Sequence, residues 1–464
     1  MALFQLFLLA ASLSHLITAS PPKVNTTAYP ASAVITRDIC IIGGGSTGTY
    51  SAIRLSDSGK TVVVVEAKDR LGGHTNTYTD PSTNETVDYG VVYFQNLDVV
   101  KKYFARFDIP LTVAPSAVPG QVTEYVDFST GKIVAGYAPP DPSAALAAYG
   151  AQLEKYPYVE AGFDLPYPVP ADLLLRFGDF VKKYNLENAV GFLFSFAQGL
   201  GNLLDQYTLY VFKNFGIGVL QALQTGFLTT ARQDNSEIYE KARAELGSDV
   251  LLQSHVIATD RSGDDGVKVL VQTPQGVKLI LAKKLLITIP PKPDNLKGFD
   301  LSTNESSLFS QFVNSAYYTA LLRNTNIPSN ITLTNIGSST PYNLPSLPGL
   351  YSIYPSRVSG LYDVKVGSAL ALPDAQVQAL IVESVLRLRT AGTLNATAPE
   401  FAAYASHTPF ELTVSEEAIR GGFYRELYAL QGQRHTWYTG AAFHTHDSSL
   451  LWRFTEGLIP GILA

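Results

Sequence analysis

Three glycines, Gly43, Gly45 and Gly48, and one carboxylate, Glu66, carry the first readable chemistry of this chain. They stand at the positions of a G-x-G-x-x-G loop and of the acid that closes the next strand. Gly43 allows a tight turn, Gly45 lets the backbone approach a pyrophosphate, and Gly48 lets a helix pack close on a strand. Ser46 and Thr47 open that helix, whose unpaired N–H groups suit phosphate. Glu66 can accept both hydroxyls of an adenosine ribose. Together these residues can grip a dinucleotide. A glycine-rich turn in another α/β fold is the plainer reading, but it needs neither the flanking strands nor the acid.

The elements that must position these groups are legible beside them. Ile39–Ile42 reads as an apolar strand, the stretch to Leu55 as a helix, and Thr61–Val65 as a second strand ending on Glu66. This is a Rossmann-type βαβ unit.

The residues beyond the second strand separate one cofactor from another. The run Glu66-Ala67-Lys68-Asp69-Arg70-Leu71-Gly72-Gly73-His74-Thr75-Asn76-Thr77 resembles the second flavin signature of the amine-oxidase-like flavoproteins, E-x3-R-x-G-G-[RH]-x-x-[ST]. The resemblance implies FAD. It puts Arg70 near the diphosphate, Gly72-Gly73 under the flavin, and His74, where arginine is commoner, beside the ring. Val87–Phe94, with Gly90, resembles the family's next flavin-facing strand. His255–Asp260 resembles the strand in which one backbone position, here Val256, touches adenine, and Thr288-Ile289-Pro290 resembles its T-[IV]-P exit. Thr436–Ala442, with Gly440, resembles the last strand and turn, although Ala441 stands where an acid is usual. Ser448–Leu463 would be the closing helix, capped by Asp447, which in relatives aims its N-terminus at the flavin pyrimidine. The narrower resemblance, carried by IIGGGSTGTYSAIRL, VVVVEAKDRLGGHTNTYTDP and VDYGVVYF, is to the fungal β-cyclopiazonate dehydrogenase family. Members act on prenylated indole alkaloids or terpenoid-pyrone intermediates, in oxidations that set up ring closure.

The fold class expected is α/β, or α+β overall: a Rossmann-type FAD-binding domain interleaved with a mixed sheet and helical substrate domain, amine-oxidase-like. The 464 residues suit two domains. Segments 34–98, 232–291 and 425–464 are assigned to the FAD-binding domain, 99–231 and 292–424 to the substrate domain. Val122–Tyr137 reads as a hairpin, and Ser143 to Ala231 as mostly helical. Val267–Thr273 and Val277–Leu281 read as an antiparallel pair, with Lys284–Pro291 a separate closing segment. Beyond it, strands are expected near Tyr317–Arg323 and Leu350–Tyr354, and a helix at Asp374–Arg389. The aromatics of Ala189–Phe227 read as helix core, or in part as the lining of an apolar substrate cavity.

Hydrophobic residues make up 46% and charged residues 16%, which fits an ordered globular chain. The formal charge of −6, without a basic run, argues against nucleic acid. Met1–Ser20 is apolar and uncharged, with small residues at Thr18–Ser20, and predicts a signal peptide over 1–19. Its core, Leu3–Leu13, is too short for a stable membrane span in the mature chain; an uncleaved anchor is the alternative. Five glycosylation acceptors, Asn25, Asn84, Asn304, Asn330 and Asn395, agree with a secretory, secreted or lumenal route. The single cysteine, Cys40, permits no intramolecular disulfide and no thiol metal site.

No residue can be assigned as catalytic. His444 and His446 flank the last turn but read as loop residues, and no third ligand makes them a metal pair. No C-terminal cysteine can bind flavin covalently; a histidyl link stays open. Three functions remain. One is an FAD oxidoreductase of secondary metabolism acting on a bulky apolar substrate, with dioxygen as acceptor. The others are an amine or polyamine oxidase, and a non-catalytic flavin carrier.

Overall fold

Val62–Val65 is buried throughout, and so is the second half of the strand Val34–Ile42. Strands of this kind belong in the middle of a sheet covered on both faces, where β-branched side chains fit. A computed structural model describes residues 24–115 and 120–464 and realises this; the expected leader, 1–19, lies outside the described residues. Val34–Ile42 pairs in parallel with Val62–Val65 on one side and with Gly276–Ile287 on the other. The first sheet has seven strands, in the order His255–Asp260, Val267–Thr273, Gly276–Ile287, Val34–Ile42, Val62–Val65, Val250–Leu251, with Thr436–Tyr438 added in parallel to Gly276–Ile287. Cys40 is fully buried in it, and burial pushes its thiol up.

Two sequence expectations are corrected by this fold. Val277–Leu281 and Lys284–Ile287 form one strand, Gly276–Ile287. Lys283 and Lys284 interrupt the apolar pattern without interrupting the chain's direction. Lys283 reaches Asp38 at 2.8 Å, and Lys284 donates to the carbonyl of Ile462 at 2.7 Å. The helical stretch Ser143–Ala231 breaks into short helices and ends in a strand, Leu228–Thr230, paired with Leu111–Val113. Gly226, at φ +87°, stops the last helix.

The second sheet, of eight strands, runs Glu400–Ser406, Val313–Arg323, Tyr362–Ser368, Gly349–Pro355, Ile331–Asn335, Val122–Asp127, Lys132–Ile133, with Phe410–Thr413 also pairing Val313–Arg323. One face packs on the helix Asp374–Thr390 through Val364, Val366, Val377, Ile381 and Val385. On the other face stand Tyr317, Thr319, Leu321 and Asp363, and Leu321 meets Val87 from the first half of the chain. Loops that follow strands of the first sheet and Leu412 of this sheet border one cavity. Among the aromatics of Ala189–Phe227, Tyr210, Phe212 and Phe215 are core, whereas Phe196 is exposed. Among the described residues no helix is long and apolar enough to cross a membrane.

Candidate functional site

The loop after Ile42 is shaped by contacts that only glycine tolerates. Gly43 has φ +100°, and a Cβ there would lie 2.6 Å from Thr288 Oγ1. A Cβ on Gly48 would lie 1.8 Å from the carbonyl oxygen of Gly43, so the helix Ser46–Asp57 packs directly against the turn. Gly45 is different. The nearest atom to its absent Cβ is the Cα of Gly73, at 3.7 Å. Two glycine backbones therefore meet, and both border a cavity of about 270 Å³. A side chain on either would take up space at that contact.

Glu66 closes the strand Val62–Val65 at the cavity edge. Its Oε2 accepts the Gly44 N–H at 2.6 Å and its Oε1 the Lys68 N–H at 2.8 Å. Each carboxylate oxygen keeps a second lone pair for a hydroxyl donor. On the far side the cavity is bounded by Thr439–Ala442, His446 and Ser448. Gly440, at φ +113°, makes that turn, with its missing Cβ 2.9 Å from the Thr288 carbonyl oxygen. The helix Ser448–Leu463 begins at this end. Asp447 caps it, accepting from the N–H groups of Ser449 at 2.8 Å and Leu450 at 3.1 Å. Ser46 Oγ lies 2.9 Å from Ser448 Oγ, so two helix N-termini meet at one cavity. Their partial positive charge favours a bound anion. Facing glycine backbones, a carboxylate with lone pairs to spare and paired helix N-termini fit a dinucleotide with a ring system beyond its diphosphate.

Comparison with known proteins decides which. The model of an NAD(P)-binding Rossmann-like domain matches residues 41–107. The FAD-dependent oxidoreductase oblC of Cochliobolus heterostrophus is 44% identical over 476 residues, covering 99% of this chain and 98% of that protein. The β-cyclopiazonate dehydrogenase of Aspergillus oryzae is 38% identical over 429 residues, 92% of each chain. This chain belongs to their family of FAD-dependent oxidoreductases. Its fold is that of a fatty acid isomerase from P. acnes (TM-score 0.73, 18% identity, 92% of this chain and 99% of that one). It is also that of putrescine oxidase (TM-score 0.64, 15% identity, 93% and 100%). The fold is therefore amine-oxidase-like, the cofactor is FAD, and the chain is an enzyme rather than a carrier.

In this FAD-dependent oxidoreductase, bound FAD would supply the redox chemistry. The residues that border the cavity are those placed to hold it. Gly43, Gly45, Ser46, Thr47, Glu66, Gly72, Gly73, His74 and Gly440 all border the cavity. Arg70 does not. Its guanidinium donates to the carbonyls of Leu71 at 3.1 Å and Thr75 at 2.9 Å and to the Asn76 side chain, so it shapes the glycine loop from behind. Gly90 also stands back, where a Cβ would lie 2.1 Å from the His74 carbonyl oxygen; Val91 reaches the cavity instead. Val256 sits half-buried opposite Val271 on the strand His255–Asp260, outside this cavity.

Gln95 and His407 near the site, and Lys213 further off, escaped the sequence reading. Gln95 ties the closing helix down, donating from its backbone to Ser449 Oγ at 2.9 Å and from Nε2 to Asp447 Oδ2 at 2.8 Å. His74, His407 and His446 cluster with Phe410. His74 packs edge-on to His407 at 4.7 Å and parallel to His446 at 6.0 Å. Burial pushes His74 down to about 4, helped by the charges of Lys68 and Arg70, and holds His407 and His446 well below the usual range. Burial thus disfavours the charged form of all three. His444 turns the other way, its Nδ1 3.2 Å from Lys213 Nζ. Lys213 is 3% exposed, and burial lowers it to about 7 although Glu160 and Glu411 oppose the shift. A lone lysine inside the apolar run Tyr210–Phe215 was the available signal. Among the described residues no cluster of three or more His, Cys, Asp or Glu could hold a metal.

Proposed function

We propose that this enzyme oxidises a bulky, largely apolar alkaloid- or terpenoid-type intermediate of fungal secondary metabolism. It removes a hydride from a carbon that is allylic or next to nitrogen, and the unsaturated centre so formed sets up ring closure within the substrate. Dioxygen reoxidises the flavin, giving hydrogen peroxide. The observation that carries this reading is the aromatic cluster of His74, His407, His446, Phe410 and Tyr317, of which His74 and His446 border the cavity. Such a wall suits an apolar ring system and supplies no carboxylate to pair with a polycation. The relatives named for β-cyclopiazonate support the same class.

One observation favours a small amine instead. Asp363 is 2% exposed, its Oδ1 has no hydrogen-bond partner among the described residues, and burial raises its carboxyl to about 6. Loaded enzyme should be offered spermidine and benzylamine, and separately a prenylated indole. Peroxide release and a mass loss of two hydrogens only with the indole are expected. Rapid turnover of the amines alone would replace the first reading with the second.

The same proposal places the protein in the secretory pathway, with signal residues 1–19 removed. All five acceptor asparagines, Asn25, Asn84, Asn304, Asn330 and Asn395, are exposed, which supports glycosylation there.

A further inference from the structure

His446 is held more tightly than a loop histidine needs to be. Its ring stacks on Phe410 with centroids 3.9 Å apart and planes 23° apart. Its Nε2 lies 3.0 Å from the backbone nitrogen of Glu411. Glu411 has φ +36°, a conformation that residues with a side chain rarely adopt, and this strained residue supplies the N–H that meets the ring.

A backbone amide can only donate, so Nε2 must be the acceptor. In a neutral imidazole the proton then sits on Nδ1. A charged ring would set a second N–H against the Glu411 amide, and burial and the neighbouring His74 already disfavour the charge. Nδ1–H is thus the ring's one remaining donor, and among the described residues nothing accepts from it. The ring borders the same cavity as His74, Gly440 and Ser448. With Glu66 suited to the adenosine ribose, the ring system beyond the diphosphate is left to the other lining residues, His446 among them.

We propose that His446 is a cofactor-binding donor of fixed tautomer, whose Nδ1–H hydrogen-bonds an acceptor atom of the flavin ring. The inference rests on FAD as cofactor and is independent of which substrate is oxidised. The ring's N1 and carbonyl oxygens become more electron-rich on reduction, whereas N5 gains a hydrogen, so a donor fixed in advance on one of those acceptors binds the reduced ring better and raises its potential.

The test needs no substrate. Wild type, His446→Leu and His446→Gln are brought to equal FAD occupancy, and absorption spectrum and reduction potential are measured. Leucine should shift the flavin bands and disfavour reduction about tenfold, ~30 mV for a two-electron couple. Glutamine, which keeps an N–H donor, should recover part of the shift. An unchanged potential in both variants overturns the proposal and leaves Nδ1–H to the substrate. A second measurement avoids mutation. In 15N-histidine-labelled wild type, His446 should be neutral with its proton on Nδ1, and that resonance should move on dithionite reduction. A proton on Nε2, or no response to reduction, overturns the proposal equally.

Discussion

At the scale of single residues, the site depends on what a side chain would displace. The Gly45 backbone borders the cavity in contact with Gly73, so Gly45→Val should abolish FAD retention while leaving the turn at Gly43 intact. Flavin absorbance of the purified variant measures this, and wild-type flavin content would show that the dinucleotide approaches elsewhere. Glu66→Ala should be milder. It removes hydrogen bonds to a charged acceptor worth roughly 1.5–3 kcal/mol, or about ten- to a hundredfold in FAD affinity. Lys213 tests burial. Its folded value of about 7 lies below the ordinary 10.5, so the unfolded chain binds more protons between those values. Its burial therefore destabilises the fold fully below pH 7, and the penalty fades as pH rises towards 10.5. Thermal melts of wild type and Lys213→Met should show the stability difference moving in favour of wild type across that range. A difference independent of pH would mean that Lys213 is charged in the folded protein.

At the scale of elements, the closing helix is the part whose start must be placed most closely. Asp447 does two jobs: Oδ1 caps the helix and Oδ2 receives Gln95 Nε2. Asp447→Ala should cost about 1 kcal/mol through the cap and also release Gln95 from its tether. The expectation is a lowered melting temperature together with weaker FAD binding. A melting loss with unchanged FAD affinity would confine Asp447 to capping.

At the scale of the whole molecule, one buried charge network joins distant segments of chain. Arg261 is 1% exposed and contacts Asp300 at 2.8 Å and Glu305 at 2.7 Å; Arg434 and Tyr438 bind the same two carboxylates. Burial alone would raise the Glu305 carboxyl, but the hydrogen bond and charge of Arg261 outweigh it and hold it at about 2. Arg261→Met should cost about 3–5 kcal/mol, because two carboxylates stay buried with less to compensate them. Denaturant melts at neutral pH measure it. Glu305 should add stability that is present above its ordinary value near 4.5 and is lost as pH falls towards 2. At the same scale, glycosidase treatment of protein made in a fungal secretory host should lower its mass, and its N-terminus should begin near Ser20. A chain starting at Met1 with no mass change would remove the secretory assignment.

The grip on the dinucleotide was legible because its causes are local. A tight turn at Gly43, close helix packing at Gly48 and an acid at the end of the next strand are steric and chemical demands met within one βαβ unit. The cap at Asp447 and the helix Ser448–Leu463 were legible for the same reason. The strand Gly276–Ile287 was divided in the sequence because two lysines mimic a break, and only its neighbours Val34–Ile42 and Thr436–Tyr438 show where those charges go. The strands Ile331–Asn335, Tyr362–Ser368 and Glu400–Ser406 passed unread because their partners are remote in sequence. Arg70 shows the limit of a motif. Its spacing was visible, but the direction of its guanidinium depends on how the loop to Asn76 folds back. His446 shows it most sharply. As H-x-H its ring could be charged, neutral, exposed or a ligand. Glu411, 35 positions earlier, sets its tautomer, Phe410 sets its plane, and burial sets its charge. Sequence alone determined the glycine turn and the acid that suit a dinucleotide, since those demands are met within one βαβ unit. Tertiary structure decided which side chains border the cavity and which of them burial holds towards the neutral form, since those depend on groups that meet only when the chain is folded.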